Sequence, residues 1–315
     1  MLICFLAAQE NVKEYAPIQS IVLERNIISM QRFKDSILIG NDFGEVLELN
    51  KSHVRNLVKL QNIASFYADS YSPKVYSIDR VGNKILILSE GNHGNKELFI
   101  FENEILHSLN ISEFPGVKKV AFVNENQIFL GLASNEIILY DLEKEVVIYK
   151  KQLSEAPFSD FSLDLKLRRY VLSCESGILY YGDINSGDVI AKLEGANKDN
   201  VYQVKMAHFD NNVRFITAGK DRKVGLYLLN LKTEKIKFNT IDAEFLVYSV
   251  GLSKDGKIGA YMQDEEGNIR VFDIDTQNPF AVLKGHTKLL NNIIFLDSTH
   301  IVSSEDGRKI LFWEI

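Results

Sequence analysis

The chain has 315 residues, 46% of them hydrophobic, a net charge of −6 and two cysteines, Cys4 and Cys174. A chain of this size buries roughly three quarters of the surface that its unfolded form exposes, and two cysteines cannot build a disulfide framework. The charge is mild and like charges do not cluster, so neither a nucleic-acid tail nor a polybasic membrane patch is indicated, and no window reaches the ~20 apolar residues of a spanning helix.

The first eight residues, Met1 to Ala8, are apolar and are followed at once by Gln9-Glu10-Asn11. This reads as the end of a secretory signal, although no basic stretch precedes the apolar run. Residues 1–8 are therefore predicted to be a truncated leader and 9–315 a single domain. The alternative is that the apolar start belongs to a first strand. Cys4 lacks the flanking residues of a lipid-attachment box. Next comes an isolated strand pattern, Ile18 to Leu23.

Seven paired apolar runs then follow, each pair joined by a polar or Gly-containing turn. They are Ile37–Gly40 with Val46–Leu49, Ile85–Leu88 with Leu98–Phe101, Ile128–Gly131 with Ile137–Tyr140, and Tyr170–Ser173 with Ile178–Tyr181. Phe215–Ala218 with Val224–Tyr227, Ile258–Tyr261 with Ile269–Phe272, and Ile301–Ser304 with Ile310–Trp313 complete the series. Their spacing of roughly 40 to 47 residues is the period of a four-stranded propeller blade. The prediction is an all-β, seven-bladed β-propeller of four-stranded blades. The chain stops after the third strand of the seventh unit, so the strand at Ile18–Leu23 is predicted to supply the fourth and close the ring. One helical turn is predicted, over Ser154–Ser159.

The last unit carries more than apolar rhythm. Gly285-His286 precedes Leu289–Phe295, then Ser303-Ser304-Glu305-Asp306, then Ile310-Leu311-Phe312-Trp313-Glu314. This resembles the WD40 repeat: Gly-His before the first strand, Ser and Asp around the second turn, Trp-Asp ending the third strand. Here Trp-Asp is Trp-Glu, and Asp306 stands one residue further from Trp313 than the repeat has it. The resemblance implies a buried hydrogen-bond network of His286, Ser304, Asp306 and Trp313, a structural role. Other units are degraded: Phe272-Asp273 and Tyr140-Asp141 keep an aromatic and the acid, Asp221 keeps its distance to Tyr227 with Thr217 nearby, and Gly195-Ala196 stands where Gly-His would be.

His286, Ser304 and Asp306 could be mistaken for a nucleophilic triad, but the repeat accounts for them and no Gly-x-Ser-x-Gly turn occurs. None of the six histidines stands at metal-ligand spacing from another His or Cys. No phosphate loop or dinucleotide fingerprint is present, so no cofactor and no metal are expected. In WD40 geometry, the turns between second and third strands share one face with the connections into each blade. That face would carry Asp42, Phe43, Asn92, His93, Ser134, Glu175, Lys220, Asp221, Arg222, Lys223, Asp264, Glu265, Glu266, Asp306, Arg308 and Lys309, a mixed rim with basic clusters at Lys220/Arg222/Lys223 and Arg308/Lys309, suited to a protein partner better than to a phosphate backbone. Phe43 is the candidate anchor.

Across its whole length the chain resembles the WD40-like accessory proteins of periplasmic nitrate reductase systems in epsilonproteobacteria. The resemblance implies a periplasmic, non-catalytic, monomeric scaffold whose partners are nitrate reductase subunits. The rival expectations are a cytoplasmic WD-repeat scaffold and a propeller hydrolase or lactonase.

Overall fold

The computed structural model describes residues 12–67 and 69–315; the candidate leader, 1–8, and Cys4 lie outside the described residues. All seven apolar pairs form antiparallel hairpins, in registers such as Ile37↔Leu49 and Gly40↔Val46. Each hairpin is the middle of a sheet. In blade 1 the order from the centre outward is Ile27–Phe33, Ser36–Asn41, Glu45–Asn50 and His53–Lys59. The remaining blades span 75–109, 117–152, 158–193, 201–242, 250–283 and 290–314.

Burial explains why the middle strands are apolar without a break. Neighbouring blades cover both faces of the second strand, so every residue of Ser36–Asn41 is buried. The outermost strands keep one face in water and alternate, as in Val146–Gln152. Successive blades pack through shared apolar clusters. Leu86, Leu88 and Leu98 of blade 2 meet Val120, Ile128 and Leu130 of blade 3.

Two N-terminal strands complete the ring. Strand β1 (Lys13–Tyr15) pairs in parallel with Pro279–Leu283, giving blade 6 a fifth strand that the sequence pattern did not suggest. Strand β2 (Gln19–Val22) pairs antiparallel with Lys309–Glu314 and is the fourth strand of blade 7. The backbone bonds continue on either side, from Ile18 N to Phe312 O (2.8 Å), Leu23 N to Arg308 O (2.8 Å) and Ile27 N to Gly307 O (2.7 Å). The chain is thereby zipped from its last strand directly into blade 1. The predicted helical turn at 154–159 is absent; Phe158 already begins a strand. Gln152 and Ser154 side chains instead tie the connection down, with Ala156 N donating to Ser154 Oγ (3.1 Å).

The innermost strands share one device. In six blades the register slips near the start of this strand, at Ile27/Ser29, Val75/Ser77, Val117/Lys119, Phe158/Asp160, Val201/Gln203 and Leu290/Asn292. Such a bulge bends the strand and re-aims a side chain. At five of these places the residue after the slip is polar and reaches the next blade. Ser29 Oγ donates to Val75 O (3.0 Å), Ser77 Oγ to Val120 O (3.1 Å) and Lys119 Nζ to Phe161 O (2.8 Å). Asp160 Oδ2 accepts from Val204 N (3.1 Å), and Gln203 Oε1 from Val250 N (3.2 Å). Gln203 also reaches past blade 6, its Nε2 donating to Asn291 O (2.6 Å), and Asn291, beside the slip in blade 7, sets its own amide on Ile27 O (3.4 Å). A ring of side-chain staples thus lines the central channel and sets the spacing of the blades.

Candidate functional site

In blade 7, Trp313 Nε1 donates to Ser303 Oγ (2.8 Å), and Ser303 Oγ lies 2.7 Å from His286 Nε2. His286 Nδ1 lies 3.1 Å from Glu305 Oε2, which also accepts from Thr287 N (3.0 Å). An indole N–H can only donate. The hydroxyl of Ser303 therefore spends its own proton on His286 Nε2, which leaves the imidazole proton on Nδ1, pointing at Glu305. With His286 neutral, the Trp313 N–H, the Ser303 hydroxyl and both imidazole nitrogens are all satisfied. Burial accordingly holds the imidazole pKa down to about 4, against the pull of Glu305.

Two of the expected members are corrected. Ser303 and Glu305, not Ser304 and Asp306, complete this network. Side chains alternate across a strand, so a shift of one residue changes the face. Ser304 points to the opposite face and accepts from Asn292 Nδ2 (3.1 Å). Asp306 is exposed in the turn, where its backbone N donates to Leu289 O (2.7 Å). Blade 5 holds a related arrangement with an amide in place of imidazole. Asn197 Oδ1 accepts from Thr217 Oγ1 (2.5 Å), and Asn197 Nδ2 donates to Asp221 Oδ1 (3.1 Å). The residue in that role follows Ala196, one place beyond the Gly195-Ala196 pair. Gly225 is needed there, because a Cβ would meet Thr217 Oγ1 at 2.4 Å and Asn197 Oδ1 at 2.6 Å.

Phe43 and the basic clusters of the rim are not one site. Phe43 and Arg308 line a common cleft of ≈ 160 Å³ with Glu24, Arg25, Asn26 and Asp42, between blades 1 and 7. Lys220, Arg222 and Lys223 lie in blade 5, away from that cleft. Lys220 stands 3.8 Å from Asp199, and Lys223 is paired with Asp242 at 2.6 Å. Arg222 occupies a left-handed turn position, φ 61°. Lys309 is drawn inward: its Nζ lies 3.7 Å from Glu305 and 3.4 Å from Gly285 O. Lys309 braces the blade-7 network at the expense of the rim.

Phe43 is not a bare apolar tip. The Arg25 guanidinium carbon lies 3.8 Å from its ring centroid and Lys59 Nζ lies 3.3 Å from it. A ring quadrupole attracts a cation on its face, so Phe43 gathers two positive charges that would otherwise repel. Burial, with the Arg25 charge adding to it against Glu45, lowers the Lys59 pKa. Adjoining this turn, Leu60 N donates to Gly44 O (2.8 Å) and begins the long connection into blade 2. That connection carries Phe66, 80% exposed, and Tyr67, fully exposed. Phe66 tilts against His93 at 5.1 Å. Arg25, Lys59, Phe66 and Tyr67 escaped the sequence reading. The cations meet Phe43 only through strand register, whereas two adjacent aromatics between strand patterns were a usable signal.

The channel holds two adjoining cavities of ≈ 330 and ≈ 250 Å³ that share Gln31, Ile78, Lys119 and Lys205. Asp79 faces the larger one and accepts from Phe122 N (2.7 Å). Burial raises its pKa to about 6. The folded chain therefore holds a proton between the ordinary aspartate pKa and pH 6 that the unfolded chain has lost. The stabilisation this gives is complete below that ordinary value and disappears as pH rises through 6. Asp79→Asn keeps an acceptor for Phe122 without the charge. In denaturant titrations it should be more stable than the native chain at pH 7, on the order of 1–3 kcal/mol, with the difference closing toward pH 4. A constant difference across that range would disprove the assignment. Among the described residues no group of three or more His, Cys, Asp or Glu side chains could hold a metal ion.

No family model and no curated protein matches the sequence. Among solved structures, the chain is similar to the β-propeller domain of Cps50 (Swd1) from Myceliophteria thermophila. The TM-score is 0.74 at 12% identity, over 95% of this chain and 99% of that domain. At this identity the likeness is one of fold. The chain folds as a WD40-like seven-bladed β-propeller.

Proposed function

We propose that this propeller is a non-catalytic scaffold that binds another protein through the face built around Phe43. The observation that carries the reading is the meeting of Arg25 and Lys59 on one aromatic ring, with Arg308 in the same cleft, where the connection carrying the exposed Phe66 and Tyr67 begins. Aromatic and arginine side chains dominate interface energetics, and exposed apolar groups rimmed by charge mark interaction surfaces. Glu24, Asp42 and Glu45 stand among these cations, so the face is of mixed charge and favours a partner segment that brings both charged and apolar side chains.

The partner we propose belongs to a periplasmic nitrate reductase system, with the chain acting there as an accessory or maturation factor. The support is the whole-chain resemblance and the leader-like start at 1–8. Affinity purification from nitrate-grown native cells, with the tagged full chain and mass spectrometry, tests it. Nitrate reductase subunits should co-purify, and the tagged protein should fractionate to the periplasm with a mature start near Gln9. Recovery in the cytoplasm with an unrelated protein set would favour the cytoplasmic scaffold instead.

A further inference from the structure

We infer that the waist of the central channel is a binding site for a small oxyanion, held by Lys205 together with Lys119. The inference is independent of the partner-binding face. The two lysines lie among the residues shared by both channel cavities, so both face the passage where the cavities join. Their situations differ. Lys119 Nζ is bound to Asp160 Oδ1 (2.6 Å) and to Phe161 O (2.8 Å). Lys205 makes no hydrogen bond or ion pair with any described residue.

The staple ring explains why. Among the described residues Asp160 is the one carboxylate that acts on Lys205, and its two oxygens already accept from Lys119 and from Val204 N. Two residues beyond the staples, the strands place Gln31, Asp79, Ala121, Ser162 and Ile294 around the channel at the level of Lys205. Asp79, the one carboxylate among these, lies three blades away on Phe122 N and does not act on Lys205. Ile78, Val120, Phe161 and Met206 add apolar surface to a wall that also carries Ser162, Gln203 and Asn292. Burial and the Lys119 charge both push the Lys205 pKa down. Lys205 is half-buried at the cavity wall, and an ammonium group partly withdrawn from water without a counter-charge carries a cost. Three ammonium donors and a net positive waist suit a compact anion with several acceptor oxygens. Space is ample, since a water occupies roughly 30 Å³ and the smaller cavity measures ≈ 250 Å³. The amide of Gln31, also at the waist, is placed to add a further donor.

Calorimetric titration of the full chain with inorganic phosphate, sulfate and acetate, in chloride of matched ionic strength, tests the site. At least one should bind saturably with a Kd of about 1 mM or tighter. Lys205→Met, which keeps the aliphatic stem, should weaken that binding at least tenfold. Without oxyanion this variant should melt at or above the native temperature, because it removes an uncompensated charge; the oxyanion should raise the melting point of the native chain alone. Lys205→Gln serves if the Met variant does not fold. Absence of saturable binding for all three probes, an equal response from the variants, or a Lys205→Met chain that folds but melts lower in chloride would overturn the inference.

Discussion

A chain lacking residues 1–24 is expected to melt roughly 5–10 °C below the full chain, or to aggregate before it melts. The truncation removes both N-terminal strands. Losing β2 strips the backbone partners from the outer edge of Lys309–Glu314 and uncovers the cluster in which Leu23 and Ile21 pack against Ile37, Ile310 and Val302. Losing β1 uncovers Pro279–Leu283. Apolar burial and hydrogen bonding of this extent together contribute on the order of 5 kcal/mol. Two open sheet edges are also templates for pairing with other chains, so aggregation is the natural failure mode. Circular dichroism melts with light scattering read both outcomes. An unchanged melting curve would show that the ring closes without β2.

Ser303→Ala is expected to cost about 2–4 kcal/mol, because it orphans two buried polar groups, the Trp313 N–H and His286 Nε2. Asp306→Ala should stay within about 0.5 kcal/mol of the native chain, as an exposed turn residue would. The contrast separates the observed network from the register in which Ser304 and Asp306 would serve, and the opposite ranking would reinstate the latter. The same network sets an acid limb. His286 has its pKa depressed to about 4, so its contribution to stability is fully present above the unfolded value of 6.5 and is lost as pH falls toward 4. The loss amounts to the order of 3 kcal/mol. His286→Gln should flatten this limb in a pH series of melts, since an amide can donate to Glu305 and accept from Ser303, as Asn197 does for Asp221 and Thr217 in blade 5. Asp79 works in the opposite direction over nearly the same range, so the two variants are needed to separate the two contributions.

The blade count was legible because second and third strands are sandwiched between neighbouring blades and must be apolar throughout. The innermost strands were not. Their pattern is broken by the slips at Ser29, Ser77, Lys119, Asp160 and Gln203, where polar residues serve the next blade and no apolar alternation survives. The parallel strand β1 was hidden for another reason: Lys13–Tyr15 is short and largely exposed, and only its partner defines it. The acid of the blade-7 network was read one residue late, because the repeat's turn Asp was matched by type to Asp306 while the strand runs on to Glu305. Phe43 was visible as an aromatic in a turn. The cations over its ring were not, since Arg25 and Lys59 reach it from two other strand ends. The channel lysines are the hardest case, because Lys119 and Lys205 sit in different blades and meet only when the ring closes.

A partner protein is proposed to dock on the Phe43 face. Quantitative affinity capture from native cells tests it most directly, comparing the native chain with Phe43→Ala combined with Arg25→Glu, and with Lys220→Glu as the blade-5 control, all at matched melting temperature. The partner recovered with the native chain should be retained by Lys220→Glu and lost with the Phe43 variant. Equal recovery with all three would contradict the claim.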